Sequence, residues 1–391
     1  MNRVAVLGGG ASGIMAALTA AEYGAQVTIL EKNHRIGKKL LITGNGRCNF
    51  TNINGKAEDY SSAFVSDALN AFPPLKTIEF FKEIGLIATV EDGGRIYPQS
   101  GQAAAVLEVL LLELGRRNIK VICDFDVDKI NRTESGFEIF GKNNDRIFAD
   151  RIVAAFGGKA APNTGSDGSG YRILQGLGHS VTPIFPALVQ LKTDRSIRGV
   201  RAKAKVTVDS ISEIGEVQFT EYGLSGIPVL DISRYAKIGD VITLDLMPDY
   251  SENELFEYLK ERKPQKLETY LVGIINKQLG QMLLKECEIG KLSRESANLK
   301  DFEIREIAKK IKNWNFTVKG KMPWGNAQTT RGGIALCEVS SKTMQSKLVK
   351  GCYITGELLD IDAPCGGFNL QWAWSSGFVA GRAAAGHGDL I

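Results

Sequence analysis

The residues that most restrict how this chain can fold lie near its start. Gly8-Gly9-Gly10-Ala11-Ser12-Gly13 fits the pattern G-x-G-x-x-G. It follows a short apolar run, Val4 to Leu7, of the kind a parallel strand covered on both faces needs. It opens a stretch, Ala11 to Tyr23, that reads as a helix ending at Gly24, and Val27 to Leu30 reads as a second buried strand. In such a unit each glycine has its own task. Gly8 permits the sharp turn, Gly10 lets backbone approach a pyrophosphate, and Gly13 lets the helix pack close to the sheet. The helix N-terminus at Ala11 and Ser12 offers free N–H groups and a positive dipole end to phosphate. Glu31, ending the second strand, is placed to accept hydrogen bonds from ribose hydroxyls and would repel a 2′-phosphate. This order predicts a dinucleotide site that does not take NADP.

The rest of the chain bears on which dinucleotide binds. A plain NAD domain would run on to a third strand and helix. Here Glu31 leads instead into a polar loop with Lys32, Arg35, Lys38 and Lys39, then Gly44-Asn45-Gly46-Arg47-Cys48-Asn49. The cations suit a pyrophosphate, and the Gly-Asn-Gly run lets backbone lie flat against a ring system. At the other end Cys352 to Gly356-Glu357 reads as a strand closed by a glycine, followed by Asp360 and Asp362. Gly366-Gly367-Phe368-Asn369-Leu370-Gln371 then opens a helix running through Trp372, Trp374 and Val379. Acids there could meet ribitol hydroxyls. The helix N-terminus could stabilise negative charge on the N1/C2 side of a reduced flavin. FAD is long enough to use both ends, so FAD is the expected cofactor. Val127 and Gly157 complete the expected cofactor-binding set.

The length of 391 residues suggests more than one domain. After about residue 191 the pattern becomes β-rich, with strands expected at Lys203–Asp209, 217–220, 229–232 and Val241–Met247. Residues 251–314 turn helical. Ser251 and Glu254 form a capping-box pattern, Leu267, Leu271, Ile274 and Ile275 give a second stripe, and Ile304, Ile307, Ile311 and Trp314 a third. The expected division is an FAD-binding domain over 1–190 and 338–391, a β-rich substrate domain over 191–250 and 315–337, and a helical insertion over 251–314. Residues 35–60 are expected to be loop-like and 61–84 helical. The net charge of +4 gives no bulk reason to expect nucleic acid. The Lys/Arg-rich stretch 291–321 is read as a solvated helical face. Six cysteines without a CxxC pair fit a reducing cytoplasm. The longest near-apolar stretch, Ala103–Leu114, carries Glu108 and Glu113 and is too short to span a bilayer. His34, His179 and His387 form no ligand set, so no metal site is expected. Cys48 and Cys365 are read as small residues packing beside the ring rather than as redox thiols.

The chain resembles the bacterial BaiN and aminoacetone-oxidase type of FAD-dependent oxidoreductase. The resemblance is carried by Gly8–Gly13, Gly37–Asn49, Gly94-Arg95-Ile96-Tyr97-Pro98, Gly157-Gly158-Lys159 with Thr164-Gly165-Ser166, and Phe219–Gly226. It continues through Arg331-Gly332-Gly333 and Gly356-Glu357 to Gly377. It implies a Rossmann-like two-dinucleotide-binding FAD domain with an inserted β-barrel-like domain and a small helical bundle, and FAD held without a covalent link. The expected activity is hydride chemistry at flavin N5 on a small organic molecule, with NAD(P)H as a transient donor, as in C=C reductases. The alternatives are an amine oxidase that passes electrons to O2 and makes H2O2, and a flavin-dependent RNA-modification protein. Arg47, Tyr97, Tyr222 and Arg331 are the candidates to line the substrate cavity. An arginine would hold an anionic group and a tyrosine would relay a proton. The sequence leaves the oligomeric state open.

Overall fold

A computed structural model describes residues 2–143 and 145–387. The chain divides into two compact units, one holding the chain up to Pro186 and from Ala327 onward, the other Ala187–Asn326.

In the first unit a five-stranded parallel sheet is built in the order Cys352–Ile354, Arg151–Ala154, Arg3–Leu7, Gln26–Leu30, Lys120–Ile122. Val4, Val6 and Leu7 are buried, as the apolar run requires. The Ala11–Glu22 helix follows the first strand, with Tyr23 as its cap and Gly24 in the left-handed region. It packs along the C-terminal helix, Phe368–Ala385. The two axes approach closely because the contact is made of small residues. A Cβ on Gly377 would lie 2.5 Å from the Ser12 carbonyl oxygen, and one on Gly381 2.3 Å from that of Ala16. The Ala103–Arg116 helix buries Val106, Leu107, Leu110 and Leu114 and exposes Glu108, so the apolar stretch is an amphipathic face. Among the described residues no helix is long and apolar enough to cross a membrane.

The second unit is a closed six-stranded antiparallel barrel, in the order Leu191–Thr193, Gly223–Ser225, Ile211–Thr220, Val200–Val208, Val241–Asp245, Trp314–Lys321. Its interior is aromatic: Trp314 stands 6.0 Å from Phe219 and 5.0 Å from Phe316 between ring centroids. Leu255, Leu259, Leu283, Ile307 and Ile311 of the helical segment join the same core. The capping box forms as its residues require, with Ser251 Oγ accepting from Glu254 N and the Glu254 carboxylate accepting from Ser251 N.

Several local expectations are corrected. Residues 229–232 are not a strand but belong to a helix, Ile227–Ile232. Gly226 at φ 100 turns the chain into it and Pro228 fixes its first turn, overriding the β-branched composition. The second helical stripe is only a single turn, Leu267–Tyr270. The longer helix is Lys277–Glu286, capped by Asn276, which accepts from Gln278 N. Trp314 starts a barrel strand rather than ending a helix, because Asn313 already breaks the helical conformation. Residues 61–84 hold two helices, Ser66–Ala71 and Pro74–Glu83, parted at Pro73. Thr51–Asn52 of the supposed loop pairs with Arg95–Ile96.

Candidate cofactor and substrate site

The first glycine turn is built as its spacing demands. Gly8 has φ +110, and a Cβ there would lie 2.4 Å from the Ala155 carbonyl oxygen. A Cβ on Gly13 would lie 2.0 Å from the Gly8 carbonyl oxygen, so helix and strand meet through backbone alone. At Gly10 a Cβ would meet nothing within 4 Å. The space over Gly10 is therefore open, at the N-cap of the Ala11–Glu22 helix, where a pyrophosphate would lie. Ser12 is buried behind it, its Oγ 2.5 Å from where a Gly356 Cβ would stand.

Glu31 is buried and fixed. Its Oε2 accepts from Gly9 N at 2.9 Å, and its Oε1 accepts from Asn33 N at 2.9 Å and Asn33 Nδ2 at 2.6 Å. With about four acceptor positions on a carboxylate, this leaves capacity for a ribose hydroxyl. An open cleft beside Glu31 is lined by Gly8, Lys32, Val127, Phe156 and Gly165, among others. Lys32 pairs with Asp167 at 2.7 Å. Burial opposes the charge on Asp167, but hydrogen bonds from Lys32 and Ser169 prevail and hold its carboxyl down at about 2. Gly157, at φ +74, faces Ser166, whose buried Oγ has no hydrogen-bond partner.

Arg35 is exposed and Lys38 half-buried. Lys39 is engaged: its Nζ donates to Glu357 Oε2 at 2.6 Å, while Glu357 Oε1 accepts from Thr330 N at 2.8 Å. Two residues expected at the cofactor thus join the N-terminal cation loop to the C-terminal turn. The next segment bends sharply. Gly44, Asn45, Gly46 and Cys48 have φ of 55, 54, 81 and 58. Cys48 is fully buried, and burial pushes its thiol up to about 12 despite a hydrogen bond with Thr43. That is the opposite of a reactive thiolate.

Arg47 leaves this loop toward Tyr97 and Glu91. Its guanidinium carbon is 4.2 Å from the Tyr97 ring centroid, and Nη1 and Nη2 both donate to the Glu91 carboxylate. The hydrogen bonds raise the guanidinium above its ordinary value and lower the Glu91 carboxyl. Of the four substrate candidates the structure thus brings Arg47 and Tyr97 together. Arg331 lies in the same unit beside Thr330, whose Oγ1 accepts from Lys159 N and Ala160 N. Tyr222 belongs to the other unit, at the turn between two barrel strands, where its carbonyl accepts from Thr193 N.

At the C-terminal end, Gly356 N and Thr355 Oγ1 both donate to Ser376 Oγ, and Trp372 Nε1 donates to Gly356 O. Asp362 is buried, with its backbone paired to Ser61. Gly367, at φ +98, caps the last helix, and Phe368, Asn369 and Leu370 form its half-exposed first turn. Asn369 folds back: its Oδ1 accepts from Ala363 N and its Nδ2 donates to Ala363 O.

Three groups escaped the sequence reading. Ser166 and Asn49 sit inside quoted motifs but carry no obvious chemistry there. Glu91 stands 44 residues from Arg47, and nothing in the sequence pairs them. His179 is spent within the fold, its ring between Glu338 and Ser346.

The open space over Gly10, the acid at ribose spacing and the second glycine-capped helix N-terminus fit FAD. They define an FAD-dependent oxidoreductase of the two-dinucleotide type. Comparison with known proteins agrees: the HI0933-like protein Rossmann domain matches over residues 2–383, and the chain belongs to this family. It is similar to a 3-dehydro-bile acid delta(4,6)-reductase of Clostridium scindens, 39% identical over 98% of this chain and 99% of the relative. It is also similar to a ribosomal RNA dihydrouridine synthase of Haemophilus influenzae, 30% identical over 96% of each chain. A flavocytochrome c3 fumarate reductase in its open conformation shares the fold, with a TM-score of 0.51 and 16% identity over all of this chain and 79% of that one.

Proposed function

We propose that this protein reduces a carbon–carbon double bond conjugated to a carbonyl in a small molecule, with NAD(P)H as electron donor. The observation that carries this reading is the Arg47–Tyr97–Glu91 cluster, in which Arg47 comes from the loop with the Gly-Asn-Gly run and Glu91 and Tyr97 from the paired strands Ala88–Glu91 and Arg95–Pro98. A fixed guanidinium there can hold the carbonyl oxygen on which negative charge develops as the double bond is reduced. FAD, when bound, supplies two-electron hydride chemistry at N5. Glu91 and the Tyr97 ring hold the guanidinium in one place. The N-terminal amides at Phe368–Leu370 favour negative charge beside them. Tyr97, whose ring lies against the Arg47 guanidinium, is the proposed proton relay. Val127, Gly157, Asp362 and the loop cations complete the proposed cofactor contacts, and Arg331 and Tyr222 remain proposed substrate contacts.

The relatives support the chemistry from two directions. A delta-4 bond in a 3-dehydro steroid is conjugated to its ketone, and dihydrouridine differs from uridine by two hydrogens across a bond conjugated to a carbonyl. The H. influenzae relative therefore favours a second reading, in which the reduced ring is a uracil within RNA.

The test is anaerobic. NADPH or NADH should bleach the flavin band of the purified protein, and a 4-en-3-one steroid should restore it while losing its own enone absorbance. Restoration by ribosomal RNA with dihydrouridine found by mass spectrometry, and no response to the steroid, establishes the second reading. A flavin that neither nucleotide bleaches, but that small amines reduce with peroxide formed in air, overturns both in favour of an amine oxidase.

A further inference from the structure

We propose that Asn49 holds the pyrimidine edge of the flavin, a role that rests on the FAD assignment. Asn49 is 8% exposed, and its Oδ1 is buried with no hydrogen-bond partner. A buried acceptor left unpaired is costly, and native folds keep one where a ligand or water completes it. The direction it faces is informative. A Cβ on Gly367, the cap of the last helix, would lie 2.9 Å from this oxygen, and a Cβ on Gly44 would lie 2.8 Å from Asn49 N. Asn49 therefore sits where the left-handed Gly44–Cys48 loop meets the N-terminus of an 18-residue helix. That junction is short of a donor aimed at Oδ1. The pyrimidine edge of an isoalloxazine presents one, N3–H, flanked by two carbonyl oxygens that helix amides can meet. Among the described side chains of this loop, Asn49 alone has a buried oxygen with no hydrogen-bond partner, and Arg47 turns to Glu91.

The role separates from a structural one by stability. A side chain that only braced the loop would leave a weaker apo-protein when removed. An acceptor with nothing to accept does not, so Asn49→Ala should leave the apo-protein melting within about 2 °C of wild type. The same variant should bind FAD about three- to ten-fold more weakly, the fold-change of one lost hydrogen bond. Asn49→Asp places a carboxylate against the same edge. It should lower the flavin reduction potential and shift the visible bands, because it opposes the negative charge of the reduced ring.

FAD titration of the apo-protein by fluorescence, with a spectroscopic potential measurement, decides the matter. Weaker FAD binding by Asn49→Ala at unchanged apo melting, or a lowered potential in Asn49→Asp, bears the proposal out. Wild-type FAD affinity in Asn49→Ala together with a wild-type potential in Asn49→Asp overturns it. So does a fall in apo melting with no change in affinity. A wild-type protein that stays colourless in excess FAD overturns the cofactor assignment and the proposal with it.

Discussion

Arg47 lies near the surface, its side chain 43% exposed, and still has two fixed partners. It is gripped by a carboxylate on one side and lies over an aromatic face on the other. Replacing it with alanine should lower kcat/KM about ten-fold or more while the melting temperature stays close to wild type. Glu91→Gln keeps the shape but weakens the grip, and its loss should appear mainly in kcat, measured by steady-state kinetics. Asp167 gives a prediction in pH. Its folded value, about 2, lies below the unfolded value of roughly 3.9, so the Lys32 pair stabilises above about pH 4 and fades as pH falls toward 2. The Asp167 side chain is 46% exposed, which keeps the effect below about 1 kcal/mol. Denaturant melts of Asp167→Asn across that window should show a flatter pH dependence than wild type.

The glycines of the first turn and of the helix pair look alike in sequence but divide into two kinds. Gly10→Ala puts its methyl into open space, so the apo-protein should melt as wild type while FAD binding weakens at least ten-fold by titration. Gly13→Ala, Gly377→Ala and Gly381→Ala each push a methyl into backbone and should cost about 1–3 kcal/mol or more in denaturant melts, with or without FAD. The glycine turn Gly8–Gly13 and the capping box at Ser251 were legible because their geometry is complete within a few residues. What was not legible depends on distance or on competition. The Arg47–Glu91 and Lys39–Glu357 pairs join residues 44 and 318 positions apart. Residues 229–232 carry a strand composition that one proline and one left-handed glycine defeat. Trp314 lies in phase with a helix it does not join, because Asn313 ends the helix first.

In the whole molecule the middle of the chain and its two ends part company. Residues 187–326 are continuous and close a barrel with its own aromatic interior, so a fragment of that range should fold alone, with dispersed NMR signals and no need of FAD. The proposed cofactor contacts all lie in the other unit. FAD at one hundred times its Kd should therefore add about 2.7 kcal/mol to that unit, seen as an upward shift of its melting transition.

The strand Cys352–Ile354 pairs with the Arg151–Ala154 strand, and the helix Phe368–Ala385 packs on the Ala11–Glu22 helix, both partners made hundreds of residues earlier. During synthesis the opening turn stays without this late strand and helix until residues 352–385 have been made. A chain cut before residue 352 should keep its barrel but leave the sheet without an edge strand and a covering helix, and it should not take on the colour of bound FAD.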